Sequence, residues 1–257
     1  MGTLAVTLPD AVTKPEQCEL MNAKKLTSIE KVFQLMEKCR KTNAFKFRGQ
    51  SDESWELIPK CGRPGCKIND EILFKQWKRR AVHYLDKKNY SEWELLSIAQ
   101  HNGLPTRLLD WSQNPLIALF FACFENYDLD GALFILKSRS NTVNEEEEKN
   151  PFSLEGEIQI YQPSTSTNRI ANQLGYFTIH KYPNVAMTKK NYIPFLEKYI
   201  IPSEMKEEII FMLNQFGVNF LSIYPDLEGL AKHLSWFSLN IDFFDNSIDI
   251  KELEDFI

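Results

Sequence analysis

The sequence contains no apolar run approaching the roughly 18–20 residues that a membrane-spanning helix requires. Its five cysteines are odd in number and widely spaced, which argues against a disulfide framework. Cys61 and Cys66 flank two glycines and a proline, but no second CxxC or HxxxH pair completes a zinc site, so a surface turn with free thiols is expected. Gly-rich phosphate loops, HExxH and GxSxG are all missing, which disfavours several large enzyme classes. The four histidines include His83, His180 and His233, none with a partner at catalytic spacing. There is no excess of basic charge either: 30 Lys+Arg stand against 35 Asp+Glu, a net charge of −5. That balance disfavours sequence-independent nucleic-acid binding over the whole surface and leaves room for a local basic groove. Residues Met1–Lys14 lack a basic stretch leading into an apolar one, so no signal peptide is read. A soluble, cytoplasmic protein without membrane partners or a bound metal is expected.

What is present suits a globular domain: 257 residues, 43% hydrophobic and 25% charged, enough to bury a sizeable core. Residues 1–26 show no period and read as an N-terminal arm, with 27–257 as the main domain. Thr27 and Glu30 fit a capping box for a helix ending near Thr42. Asn69 caps a second helix, and Ser91 with Glu94 caps a third that reaches about Gln100. Asn114-Pro115 opens a nearly all-apolar helix over Leu116 to Phe124. Strands are expected at Ala44–Gly49, Gly131–Leu136, Glu157–Tyr161, Phe177–His180 and Leu196–Ile201, with a short strand or buried turn at Leu108–Ser112. Helices follow from Ser203 to Gly217 and over Leu227–Phe237. The fold class is α+β, a small mixed sheet surrounded by several helices.

Two segments are denser in polar groups than a core needs. The first, Phe47-Arg48-Gly49-Gln50-Ser51, ends a strand on an arginine whose rigid fork suits phosphate or carboxylate. Alternation puts Phe45 and Phe47 on the core side and Arg48 opposite, toward a cleft, with Gly49 leaving room beside it. The second runs from Gln100 through His101, Thr106, Arg107 and Asp110 to Ser112. Polar groups beside an apolar run must satisfy one another or face a pocket. Two readings follow. In one, Arg48 or Arg107 pairs with Asp110 in a purely structural network, with His101 capping a helix and Trp111 in the core. In the other, the same residues form a site. Either way, Asp110 is expected to be a buried carboxylate bound by an arginine rather than a free base.

These segments carry a resemblance. Phe47-Arg48-Gly49, then Trp55, Leu57 and Pro59, then QHNGLPTRLLDWSQNPLIALFFA from Gln100, resemble the FRG domain, a bacterial domain named for its (Phe/Tyr)-Arg-Gly motif. Arg169-Ile170, Gln173 to Phe177, Tyr199 to Pro202 and Tyr224 to Leu230 extend the likeness to about residues 28–232. Ser112, Asn102 and Glu228 stand where the family commonly has Thr, Tyr and Asp. The resemblance implies a setting of bacterial conflict or antiviral defence.

A fainter similarity connects Phe47-Arg48-Gly49 and Asp110–Ala122 to ADP-ribosyltransferases of the Arg-Ser-Glu type. It implies an NAD-using transferase or glycohydrolase, a toxin or defence effector, with an ADP-ribosyltransferase-like core. NAD would be its substrate, and a protein or nucleic acid a possible acceptor. By that similarity Arg48 holds the pyrophosphate, while Ser112 and His101 orient the nicotinamide ribose. Gly49, Gln50, Thr106, Arg107 and Asp110 complete the binding side. The late acidic or amide element is Gln173, Glu157 or Glu228. Two other classes fit the same residues: a non-catalytic module binding RNA or a phosphate-bearing ligand through Arg48, Arg107 and Lys46, and a structural or antitoxin-like partner protein.

Overall fold

The computed structural model describes residues 23–39, 44–86, 88–137, 142–163, 175–188 and 195–241. Its centre is a seven-stranded mixed sheet in the order β1-β7-β4-β2-β3-β6-β5. The strands are β1 (Lys24–Lys25), β2 (Phe45–Gln50), β3 (Leu108–Ser112), β4 (Gly131–Lys137), β5 (Ile158–Tyr161), β6 (Gly175–His180) and β7 (Leu196–Ile201). Only the β1–β7 pair is parallel; the other five pairings are antiparallel. The end of the expected N-terminal arm thus belongs to the sheet: Lys24 and Lys25 pair with Tyr199 and Ile200, and Leu26 is buried. Two lysines give a short edge strand, which limits further pairing at that edge.

Strand alternation sorts the core into two faces. Phe47, Leu133, Ile135, Tyr199 and Ile201 point to one side, against helices α1 (Ile29–Cys39), α4 (Pro115–Cys123) and α5 (Lys206–Gln215). Farther along the same side, Leu108, Phe177 and Ile179 pack on α2 (Asp70–Ala81) and α3 (Glu92–His101). The opposite side carries Leu109, Trp111, Phe134 and Ile160, closed by Leu57 and Met187 from loops. Helices α1 to α5 therefore pack on one face of the sheet. Helices α6 (Phe220–Ile223) and α7 (Leu227–Leu239) complete the described residues, and none of the helices is long and apolar enough to cross a membrane.

Local chemistry explains the boundaries. Asn69 accepts from the Glu71 and Ile72 amides, and Ser91 with Glu94 forms the full capping box. At α1 the expected cap moves by one residue, because Ser28, not Thr27, receives the Lys31 amide; Thr27 instead accepts from the Lys31 ammonium. Pro115 occupies the first turn of α4 behind the Asn114 cap. Lys206 opens α5 fully buried, its ammonium donating to the carbonyls of Ser51, Glu125 and Asn126 at 2.7, 3.1 and 2.8 Å. Three carbonyls around one cation replace its water shell. They also tie the end of β2 to the end of α4.

Candidate functional site

The sheet nearly divides in its middle. Strand β2 makes six consecutive residue pairs with β4, and β3 makes five with β6. Between β2 and β3 the register holds a single pair, Phe47 with Ser112. Beyond it the strands diverge, and Arg48 spans the gap: its Nη1 donates to the Asp110 carbonyl at 2.8 Å and lies 3.8 Å from Asp110 Oδ2. Arg48 leaves β2 on the side of Trp111 while Asp110 leaves β3 on the helix side, so the guanidinium threads the split. Burial pushes its pKa down to about 10, with the Asp110 charge opposing the shift, so it stays a cation at neutral pH. Its Nε is buried with no hydrogen-bond partner among the described residues.

A cleft of about 340 Å³ opens at this split, lined by Arg48, His101, Asp110, Ser112, Phe121 and Tyr224 among others. Helix α4 forms one wall and can approach because residue 49 is glycine. A Cβ there would lie 1.8 Å from the Ala118 carbonyl oxygen. Gly49 therefore serves the packing of α4 on β2; the space beside Arg48 comes from the diverging strands.

Asp110 departs from expectation. Its side chain is 58% exposed rather than buried, because β3 meets no β2 ladder at this point and the helix-side face is open. A relay of side chains holds it. The Leu108 amide donates to Thr106 Oγ1 at 3.1 Å, and the Thr106 hydroxyl donates to Gln100 Oε1 at 2.6 Å. The Gln100 amide then donates to Asp110 Oδ1 and Oδ2 at 3.3 and 3.1 Å. With its oxygen engaged by Thr106, the Gln100 side chain has its NH₂ fixed toward the carboxylate.

The other sequence-derived candidates lie elsewhere. Arg107 is not at the cleft: its guanidinium binds Asp70 in a buried fork at 2.8 and 2.9 Å and stacks on Phe152. Thr106 is buried and acts through Gln100. Gln50 is buried and donates to the Glu56 carbonyl. Lys46 sits over the Tyr176 ring, 4.0 Å from its centroid. Glu228 is on the exposed start of α7, paired with Lys232 at 2.8 Å. Glu157 does not line the cleft either. Gln173 lies outside the described residues. Gln100, Phe121 and Tyr224 are among the cleft residues that had no role assigned from the sequence. Gln100 stands inside the polar motif and was detectable there; Phe121 is hidden in an apolar run.

Behind the cleft, Trp111 Nε1 donates to Thr178 Oγ1 at 3.0 Å, and that hydroxyl lies 3.0 Å from His180 Nε2. Burial, helped by the nearby Arg48 charge, pushes the His180 pKa down to about 3, so the ring is neutral at physiological pH. Among the described residues no group of three or more His, Cys, Asp or Glu is placed to hold a metal. Cys61 is held as a thiol by burial, and Cys66 Sγ donates to the Lys60 carbonyl.

No curated protein and no solved structure matches this chain. One family model does, over residues 43–131, spanning β2 and its arginine, the Gln100–Ser112 segment and α4. Strand β2 with Arg48 and the polar strand β3 that it reaches across the split thus both lie in the segment that matches the FRG domain model.

Proposed function

We propose that the cleft binds NAD and that the protein is an ADP-ribosyltransferase-like, NAD-using enzyme. The observation that supports this reading is the meeting of two distant motif residues: Arg48 and Ser112 reach the same cleft at the point where the sheet opens. A half-buried, planar cation beside an opening suits a pyrophosphate, which it can grip with two parallel donors. A volume of about 340 Å³ lies at the small end of ligand pockets, enough for the nicotinamide ribose half of the dinucleotide. Phe121 and Tyr224 supply apolar ring faces, and His101 and Ser112 supply polar groups for the ribose. Cleavage of the N-glycosidic bond builds positive charge on the anomeric carbon. The Asp110 carboxylate at the rim can stabilise it.

The test is incubation of the purified protein with NAD, alone and with cell extract, following nicotinamide by chromatography. Release of nicotinamide is expected, with depletion of cellular NAD when the protein is expressed in bacteria. Saturable binding without turnover would reassign the cleft to a non-catalytic nucleotide-binding module. Absence of both binding and turnover removes NAD altogether.

A further inference from the structure

Asp110 borders two openings. One is the cleft of about 340 Å³; the other is a pocket of about 40 Å³ on the β6 side, lined by Tyr176 and Gly175 and sharing Gln100, His101, Asp110 and Trp111 with the first. The smaller space is roomy enough for water, which needs only about 10–15 Å³ of such space, and it is lined by the polar groups of Gln100, His101 and Asp110. Resting on the NAD reading, we propose that Asp110 is the general base that takes a proton from a water in this small pocket, which makes the reaction hydrolysis of the N-glycosidic bond.

The chemistry balances. The bond between the ribose anomeric carbon and the nicotinamide nitrogen breaks, and its electron pair leaves with nicotinamide, which becomes neutral. Water attacks the anomeric carbon from the Tyr176 side, its proton passes to the Asp110 carboxylate, and the products are ADP-ribose, nicotinamide and one proton. Asp110 has the freedom this needs, being 58% exposed and engaged by a neutral amide as well as by the more distant Arg48. The Thr106–Gln100 relay positions it. A buried hydroxyl fixes an amide, and the amide fixes a carboxylate, so the base is held without being neutralised. None of the late residues is needed for this step, and Glu228 is turned away in its pair with Lys232.

The experiment compares wild type with Asp110→Asn and Asp110→Ala. Wild type is expected to give free ADP-ribose in step with nicotinamide. Asp110→Asn should melt like wild type and bind NAD within about threefold in Kd. Its nicotinamide release should fall at least about 100-fold, the usual reach of a general base. Azide needs no proton removed, so it should restore release from Asp110→Ala as the ribosyl azide. For the positioning residue, Thr106→Val should lower kcat with little change in KM, and Thr106→Ser should keep both. Wild-type cleavage of NAD with an equally active Asp110→Asn overturns the assignment of the base and leaves the NAD reading standing. Label appearing on protein or nucleic acid in place of free ADP-ribose overturns water as the nucleophile. A wild type that leaves NAD intact overturns the reading and this inference together.

Discussion

Arg48 does two jobs at once: it bridges the β2–β3 gap through the Asp110 carbonyl and presents cationic charge to the cleft. A lysine keeps the charge but cannot bridge and bind together, since a single ammonium has no planar fork. Arg48→Lys is therefore expected to cost about 1 kcal/mol of stability, one hydrogen bond's worth. NAD affinity should fall at least about tenfold, or about 1.4 kcal/mol. Calorimetric titration beside a melting curve checks both, and equal affinity in the variant would free Arg48 from the site. The placement of Arg48 was legible in the sequence because alternation is a local rule: Phe45 and Phe47 mark the core side. The role of Arg107 was not, because its partner Asp70 lies 37 residues earlier and nothing local links them. Asp110 misled for a similar reason. Apolar neighbours suggest burial, but exposure depends on whether another strand pairs alongside, which is a long-range matter.

At the scale of elements, the joint between α4 and β2 is a tight feature beside the cleft. Gly49→Ala would drive a methyl into the Ala118 carbonyl, a backbone atom that cannot rotate away. Separating the helix from the strand should cost about 3 kcal/mol, the upper range for overpacking, measured by urea denaturation. An unchanged midpoint would mean that α4 does not sit this close. Helix starts were readable wherever a side chain caps its own first turn, as at Asn69, Ser91 and Asn114. The short helix α6 was missed because four residues carry no period, although Asn219 and Ser222 form a capping box. Strands were readable individually from alternation, as in β2, or from a continuous apolar run, as in β4; their order was not. Nothing local in β2 says that it pairs along its full length with a strand more than eighty residues later and at one point only with β3.

Across the whole molecule, His180 couples the fold to pH. Above about pH 6.5 the imidazole is neutral in both folded and unfolded chains. Between there and its folded pKa of about 3, only the unfolded chain binds the proton, so stability falls as acid is added. The slope from this residue is about 1.4 kcal/mol per pH unit. His180→Gln, neutral throughout, should flatten the stability profile between pH 6.5 and 4 relative to wild type, read as urea midpoints at each pH. Parallel profiles for the two proteins would show that the ring is already protonated or exposed in the native state.

The single pairing of Phe47 with Ser112 also bears on what can be cut from this protein. The segment matched by the FRG model stops at Gly131, the first residue of β4, so it holds β2 and β3 but omits the strands that ladder along their outer sides. Excised alone, it would keep one cross-strand pair and expose the remaining backbone donors and acceptors of both strands as raw edges. Such edges recruit other chains. Residues 43–131 are thus a recognisable stretch of sequence without being a folding unit, and a fragment with those ends is expected to self-associate, visible as high-mass species on gel filtration, where the full chain does not.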